Sequence, residues 1–315
     1  MNILITGASG NLGSQVARHL LSGRHHLYLA RHKAPLPSDL IEHPEVTVRP
    51  MDLARPETLP QACAGIDCIV HLAGVLFAPL PERFLPRTNV GYVKDLVKAA
   101  KAAGVRKFVL VSFPHAEGET TPDHPAVGRL DSTPDVIHFR TRLEAERVLI
   151  EATKDGPMVA VVFRAGIVYG KGVRLIEAAR WMLQHHLLAV WRKPTWAHLI
   201  ALPDFLTALQ AAIELESARG IYQVCDDDPI TIQDFLDRLA DHYRCHRPWR
   251  LPAWMFRLAG VSCETASLLF RVPAVLNRDI VKAGMTSCVA DTSRMKRELL
   301  PVLGYPTINQ GLKLL

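Results

Sequence analysis

Three glycines follow an apolar run at the start of the chain, and this arrangement constrains the fold more than any other feature. Residues 2–6 (NILIT) have the composition of a short strand, and Gly7, Gly10 and Gly13 follow it directly. The next apolar positions have helical spacing, and residues 26–30 form a second apolar run. A strand, a helix and a second strand within about 30 residues form a βαβ unit, whose two strands are parallel.

The alternation of strands and helices continues along most of the chain. We predict a strand ending at Met51, strands at residues 68–72, 107–112 and 159–168, and helices at residues 89–103 and 140–154. This order predicts an α/β fold with a doubly wound parallel sheet, the Rossmann arrangement.

The regular alternation weakens after Gly170, where we place a domain boundary. Residues 1–170 are expected to form the sheet domain, whose core can also receive a later segment around residues 195–224. Residues 171–315 are expected to form mainly a smaller C-terminal α/β domain. Its predicted helices cover residues 175–186, 203–216 and 231–243.

Local signals mark the start of the last of these helices. Asp226, Asp227 and Asp228 precede a proline, and we interpret them as a solvated turn. Thr231, with Asp234 three residues later, has the spacing of a hydroxyl N-cap and its acidic partner. The helix is therefore expected to begin directly after Thr231.

The composition excludes several classes of protein. Of 315 residues, 49% are hydrophobic and 22% are charged, which is ordinary for a globular protein. The net charge of +6 comes from scattered basic residues, so we expect no nucleic-acid partner. The six cysteines show neither a CxxC pair nor metal-ligand spacing, so we expect reduced thiols, no metal site and a cytoplasmic location.

No apolar run reaches the roughly 18 residues that a membrane-spanning helix needs. Residues 249–276 are rich in Trp, Leu, Phe and Val, and we expect them to be buried in the smaller domain. Peripheral membrane contact and pairing with another subunit are the alternatives for this segment. We expect the protein to be a monomer or a homodimer.

The glycine-rich loop has the spacing and the context of a dinucleotide-binding loop. Gly7 permits a tight turn, Gly10 lets the backbone approach a pyrophosphate, and Gly13 lets the helix pack on the strand. Free N–H groups at the helix start bind phosphate. The predicted cofactor contacts in this loop are Gly7, Ala8, Ser9, Gly10, Asn11, Leu12 and Gly13.

The residues that close the second strand bear on the choice between NAD and NADP. An acidic residue there binds the ribose 2′-hydroxyl, whereas an arginine accommodates a 2′-phosphate. Here the run is Arg31, His32 and Lys33, and no carboxylate follows until Asp39. The sequence therefore favours NADP(H), with Arg31 as the 2′-phosphate contact, and NAD(H) is the alternative.

Motifs along nearly the whole chain resemble those of the short-chain dehydrogenase/reductase superfamily, in particular its extended and atypical branch of epimerases, dehydratases and reductases. TGASGNLG at residues 6–13 is similar to that branch's cofactor loop, and HLAG at residues 71–74 to the loop beneath the nicotinamide ribose. KFVLVS at residues 107–112 is similar to the strand that presents the catalytic serine, and RAGIVYG at residues 164–170 to the strand and turn beyond the active site.

The resemblance implies cofactor contacts and a substrate contact outside the glycine loop. The implied cofactor contacts are Asp52, Leu53, Leu72, Ala73, Gly74, Asn89, Val111, Arg142, Ala165, Gly166 and Val168. Tyr169 lies where this family's substrate approaches, so it is a candidate substrate contact, with packing as the alternative.

The family's catalytic pair is replaced in this chain. A tyrosine and a lysine four residues later do the family's chemistry on one helix face, and the aligned residues here are His138 and Arg142. Ser112, which in the family polarises the substrate oxygen, is retained. An imidazole transfers protons well at neutral pH, so His138 can replace the tyrosine, while Arg142 holds a ribose or a phosphate.

Two functions follow from this substitution. The first is an NADP(H)-dependent oxidoreductase, or an enzyme similar to nucleotide-sugar epimerases and dehydratases, that binds a small-molecule substrate in its second domain. Ser112, His138 and Arg142 are then its catalytic residues. The second is a catalytically inactive dinucleotide-binding sensor or assembly protein, as the atypical branch of the family includes.

Overall fold

The computed structural model describes residues 1–75, 79–270 and 276–315. Its centre is a sheet of seven parallel strands in the order β11-β6-β5-β4-β1-β2-β3. These strands are β1 (Asn2–Thr6), β2 (His26–Arg31), β3 (Val46–Pro50), β4 (Cys68–His71), β5 (Lys107–Ser112), β6 (Val159–Ala165) and β11 (Gly220–Val224). The predicted doubly wound parallel sheet is confirmed.

Helices cover both faces of the sheet. In the first half of the chain they are α1 (Asn11–Leu20), α2 (Ser38–Ile41), α3 (Leu59–Cys63), α4 (Pro81–Leu85), α5 (Tyr92–Ala102) and α6 (Ile137–Thr153). A π-helical turn, Pro86–Gly91, joins α4 to α5. The helix expected to begin at residue 89 is therefore preceded by other helical turns.

The central strands are apolar on both sides because both faces of the sheet are covered. Ile3 and Ile5 of β1 are completely buried in a core cluster with residues of α1 and α8 (Leu202–Glu214). Leu4 faces the opposite side, where it joins a second cluster with residues of α3 and α5. This alternation places two hydrophobic cores on a single sheet.

A break at Gly166 divides the strand that we predicted at residues 159–168. β6 ends at Ala165, and a separate strand, β7 (Ile167–Tyr169), pairs with β10 (Leu199–Ala201) instead of the central sheet. A Cβ atom at Gly166 would overlap the carbonyl oxygen of His198. The prediction of one continuous strand is therefore wrong, because the backbones approach too closely here for any side chain.

The C-terminal part contains short strands and helices. The strands are β8 (Ala189–Trp191), β9 (Trp196–Ala197), β12 (Ile230–Thr231) and β13 (Trp249–Leu251). The helices are α7 (Arg174–Gln184), α9 (Ile232–His242), α10 (Ala253–Phe270), α11 (Arg278–Gly284), α12 (Ser293–Glu298) and α13 (Ile308–Gly311). α9 begins as predicted, since the side chain of Thr231 accepts a hydrogen bond from the N–H of Asp234 at 3.1 Å.

The apolar segment at residues 249–276 forms β13 and α10, and its residues 271–275 lie outside the described ranges. Trp254, Leu258 and Leu269 of α10 are 61%, 58% and 72% exposed, so the expected burial of this segment is wrong. The buried residues of the helix are small or polar, and most of its large apolar side chains are exposed, whereas Phe256 packs against Trp191 with ring centres 5.7 Å apart. Of the helices described, none combines the length and the apolar character that a bilayer span requires.

Candidate functional site

The glycine loop turns tightly between β1 and α1. Gly7 has a φ of 78°, and a Cβ atom there would lie 2.8 Å from the N atom of Ala73. A Cβ atom at Gly13 would overlap the carbonyl oxygen of Gly7. Both positions therefore require glycine, the first for its backbone conformation and both for space.

The N-terminus of α1 is open toward this loop. Gly10 is its N-cap and supplies no side chain, and the first turn holds no acidic residue. The first N–H groups of a helix have no partners within the helix, and the helix dipole favours an anion at this end. The loop and the helix start together form a cradle for phosphate.

A cavity of about 410 Å³ extends from this cradle along the carboxyl ends of the strands. Of the predicted contacts in the glycine loop, Gly7, Ser9 and Gly10 line it. Ala8 is instead buried in the core, and the amide of Asn11 donates to the carbonyl oxygen of Gly172 at 2.7 Å. The other predicted contacts that line the cavity are Leu53, Leu72, Ala73 and Gly74.

Basic residues lie where the cavity meets the end of β2. His32 and Lys33 line it, whereas Arg31 is the exposed last residue of the strand. Asp52, an implied cofactor contact, lies 3.2 Å from His32 and 3.7 Å from Arg55 and pairs with both. Of the three basic residues at the end of β2, His32 and Lys33 therefore line the cavity, and Arg31 does not.

Several predicted contacts have structural roles in the described part of the chain. Asn89 is buried and donates to the hydroxyl of Thr141 at 2.9 Å. Tyr169 is completely buried in the core and packs against Gly311, which favours the packing alternative over substrate contact. The remaining predicted contacts, Val111, Ala165, Gly166 and Val168, lie near the carboxyl ends of β5 and β6, and Ala165 and Val168 are buried.

Arg142 lies on α6 beside the loop that contains Gly74. Its Nη2 atom is 3.5 Å from the position that a Cβ atom of Gly74 would occupy, and its Cζ atom is 6.0 Å from the centre of the Phe113 ring. Its buried Nε atom has no hydrogen-bond partner among the described residues. Burial lowers the pKa of Arg142, and the nearby Glu146 opposes this effect. An enclosed guanidinium without an acceptor is suited to an anionic or hydroxyl-bearing ligand.

His138, the second residue of α6, is 8% exposed. Its Nδ1 atom lies 2.5 Å from a carboxylate oxygen of Asp279 in α11. Its Nε2 atom is buried and has no hydrogen-bond partner in the described ranges. One ring nitrogen is therefore fixed by Asp279, and the other has no partner among the described residues.

Ser112 donates its hydroxyl proton to the buried carboxylate of Glu146. Glu146 also accepts hydrogen bonds from Arg164, which bonds to Glu117 at 2.5 Å. Arg164 and Glu146 are completely buried. The proton that Ser112 would offer to a substrate oxygen is thus already used within the protein.

Sequence reasoning missed Asp279 and Glu146. Asp279 lies 141 residues after His138 in the chain, and no motif connects the two. Glu146 lies four residues after Arg142, so both are on the helix face that carries the residues aligned with the family's catalytic pair, and this spacing was a usable signal that Glu146 faces the site.

These features fit a dinucleotide. The cradle has no room for a Cβ atom at Gly7 or Gly13, the start of α1 is uncapped, and Arg142 leaves a buried donor free. Together they offer backbone N–H groups to phosphate and a fixed positive charge beside the loop at Gly74.

Comparisons with known proteins agree with this site. Residues 7–154 match a family model described as NAD(P)H-binding. The 3-beta-hydroxysteroid dehydrogenase of Mycolicibacterium neoaurum is 28% identical over 182 residues, which cover 54% of this chain and 48% of that protein. The chain thus spans about half the length of this relative. The 2-alkyl-3-oxoalkanoate reductase of Stenotrophomonas maltophilia is 26% identical over 259 residues, which cover 76% of this chain and 74% of that protein.

A solved structure has the same fold over the full length of the chain. The UDP-glucuronic acid 4-epimerase from Bacillus cereus, solved in complex with NAD, superposes with a TM-score of 0.76 at 18% identity, covering 100% of this chain and 97% of that one. The cofactor loop, the parallel sheet and the relatives lead to one conclusion. Residues 7–154 form an NAD(P)H-binding domain, and the chain is similar in sequence to a hydroxysteroid dehydrogenase and an oxoalkanoate reductase and in fold to an NAD-binding epimerase.

Proposed function

We propose that the protein is an NADP(H)-dependent oxidoreductase or epimerase-like enzyme in which His138 takes the role of the missing tyrosine. The observation that carries this proposal is the state of the His138 ring. Its Nδ1 atom is bonded to Asp279, whereas its Nε2 atom is buried and has no partner in the described ranges. A fixed imidazole with one open nitrogen is the arrangement of a general acid or base.

The chain's own residues would hold the cofactor at both ends. Gly7, Ser9 and Gly10 would hold the pyrophosphate, Lys33 would meet a 2′-phosphate, and Arg142 would contact the ribose near Gly74. When bound, the nicotinamide supplies or accepts a hydride. A protonated Nε2 of His138 donates its proton to a carbonyl oxygen that becomes a hydroxyl, and a neutral Nε2 accepts the proton of a secondary hydroxyl.

NADP(H) is the preferred cofactor in this proposal. His32 and Lys33 line the cavity at the end of β2, and the nearby carboxylate of Asp52 is paired with His32 and Arg55. A 2′-hydroxyl would therefore find no free carboxylate acceptor, whereas a 2′-phosphate would find a cation.

The names of the two relatives suggest which substrates to test. The hydroxysteroid dehydrogenase and the oxoalkanoate reductase suggest testing compounds with a hydroxyl or an oxo group as substrates. The solved epimerase suggests testing nucleotide sugars.

The second candidate function is a non-catalytic dinucleotide-binding sensor or assembly protein. The observation that favours it is the hydrogen bond from Ser112 to Glu146, which removes the family's substrate-polarising hydroxyl from use. The replacement of the tyrosine and the lysine by His138 and Arg142 points the same way.

A turnover experiment separates the two functions. Purified protein is incubated with hydroxysteroids, 3-oxo acids and nucleotide sugars, each with NADP(H) and with NAD(H), and reduced nicotinamide and sugar products are measured. We expect turnover with NADP(H), and we expect His138→Ala to lower kcat by about 100-fold, the usual contribution of a positioned acid or base. NADPH affinity is expected to stay unchanged.

His26→Ala is the matched control, since His26 lies on β2 and bonds to Glu45 and Thr47. We expect it to keep the wild-type kcat. Full activity of His138→Ala would overturn the proposal. Tight NADPH binding without turnover of any compound would favour the second function.

A further inference from the structure

Asp279 connects the C-terminal part of the chain to the start of α6. One carboxylate oxygen accepts the N–H of Ile137 at 3.0 Å. The other accepts the N–H of His138 at 3.3 Å and contacts the Nδ1 atom of the same residue at 2.5 Å. The side chains of Asp279 and His138 are only 13% and 10% exposed. Three contacts thus converge on one enclosed carboxylate.

These contacts determine which nitrogen of His138 carries a proton. The carboxylate of Asp279 lies at the start of α6, where it accepts two backbone N–H groups. An ionised carboxylate can only accept hydrogen bonds, so Nδ1 of His138 must carry a proton. The exchangeable position is therefore Nε2, the atom without a partner in the described ranges.

Asp279 is itself held in place by its surroundings. The neighbouring Arg278 bonds through Nε to Glu264 of α10 at 2.7 Å. Glu264, only 4% exposed, also accepts the N–H of Leu80 at 3.0 Å. The start of α11 is thus fixed against α10 and against the segment that precedes α4.

We propose that Asp279 is the positioning residue for His138, so that the acid/base is a two-residue unit built from both parts of the chain. This inference rests on the proposed function of His138. The carboxylate fixes the plane and the tautomer of the ring, and it stabilises the imidazolium that forms when Nε2 takes up a proton.

A double-mutant cycle tests this role. Asp279→Asn keeps the shape of the side chain and one acceptor oxygen for α6, and it removes the charge. We expect it to lower kcat by about 100-fold with KM changed less than about twofold, because a wrongly oriented ring affects proton transfer more than binding. In the His138→Ala background, the same substitution is expected to leave the residual rate unchanged.

Asp135→Asn is the matched control, since Asp135 is 87% exposed and lies 3.9 Å from Lys282 on the same surface. It is expected to leave the wild-type rate unchanged. An equal decrease caused by Asp279→Asn in the wild-type and His138→Ala backgrounds would show a merely structural role and overturn the proposal.

A second measurement needs no turnover. In protein labelled with ¹⁵N-histidine, we expect the His138 ring to show a protonated Nδ1 in a strong hydrogen bond, and we expect this signal to be lost in Asp279→Asn. A His138 spectrum that is identical in the wild type and in Asp279→Asn would overturn the pairing, even if the turnover experiment fails. Absence of turnover with the expected spectrum would overturn only the proposed function.

Discussion

Two positive charges lie at or beside the cofactor cavity. Arg142 lies beside Gly74, a lining residue, and its Nε atom has no partner among the described residues, while Lys33 lines the cavity after β2. The uncapped start of α1 contributes its N–H groups at the same cavity. Charge of one sign along a cleft binds a polyanion well, and each charge affects the part of the ligand next to it. The charges can therefore be tested one at a time.

We predict that Lys33→Ala weakens NADPH binding by about tenfold, because a hydrogen bond to a charged group contributes about 1.5 kcal/mol. NADH binding is expected to change by less than about twofold, since NADH has no 2′-phosphate. Fluorescence titration with both nucleotides measures the two affinities. Lys154→Ala, at the exposed end of α6, is the control. Equal weakening of NADPH and NADH would contradict the assignment of Lys33 to the 2′-phosphate.

At the residue scale, the sequence predicted the site residues whose positions are set by nearby residues in the chain. The glycine loop could be predicted, because its turn and its close approach need glycine at fixed spacing. The replacement of the catalytic pair by His138 and Arg142 was found through the register of one helix. The partners of these residues could not be predicted, because Asp279 reaches His138 only through tertiary packing.

At the element scale, α10 packs against α11 through its small residues. Gly260, Glu264 and Ser267 are its buried residues. A Cβ atom at Gly260 would lie 3.2 Å from Val281 and 3.3 Å from the backbone of Asn277. The close approach of α10 to α11 therefore depends on this glycine, and most of the large apolar side chains of α10 are exposed.

Substitutions on the two sides of α10 are expected to change stability by different amounts. Gly260→Val should destabilise the protein by about 1–3 kcal/mol, because the added methyl groups overpack the contact with α11. Leu258→Gln should change stability by less than about 0.5 kcal/mol, because Leu258 is 58% exposed. Urea unfolding of both variants measures these changes. A large loss with Leu258→Gln would show that this face is covered in solution.

Element boundaries were predictable where one local cause sets them. β5 was predicted with its observed bounds, since an apolar run from Lys107 ends at the polar Ser112. The start of α9 followed from the capping residues. The break at Gly166 was missed because its cause is the carbonyl oxygen of His198, which is distant in sequence. The exposure of α10 was missed because composition does not show which face of a helix packs.

At the scale of the whole molecule, buried ionisable groups make stability depend on pH. Burial lowers the pKa of His71 to about 3 and of His198 to about 4. It raises the pKa of the Asp226 carboxyl to about 8. Asp226 is completely buried, so our interpretation of this turn as solvated is wrong for its first residue.

The two kinds of group act in opposite directions. The unfolded chain binds protons at both histidines below about pH 6.5 while the folded protein does not, so their contribution to stability is lost as the pH falls. Asp226 keeps its proton in the folded protein up to about pH 8, whereas the unfolded chain releases it near pH 4. Its contribution is complete below pH 4 and is lost as the pH rises toward about 8.

We therefore predict that the wild type loses stability between pH 6.5 and 8. Of these three groups, only Asp226 differs in protonation between the folded protein and the unfolded chain in this range. The slope has an upper limit of about 1.4 kcal/mol per pH unit, the value for one proton. Asp226→Asn should remove this loss, because the amide has the shape of the protonated acid and does not ionise. Asp155→Asn, at an exposed position after α6, should keep it. Urea unfolding of the three proteins at half-unit pH steps measures the free energy of unfolding against pH. Parallel curves for the wild type and Asp226→Asn would show that Asp226 is not the group responsible.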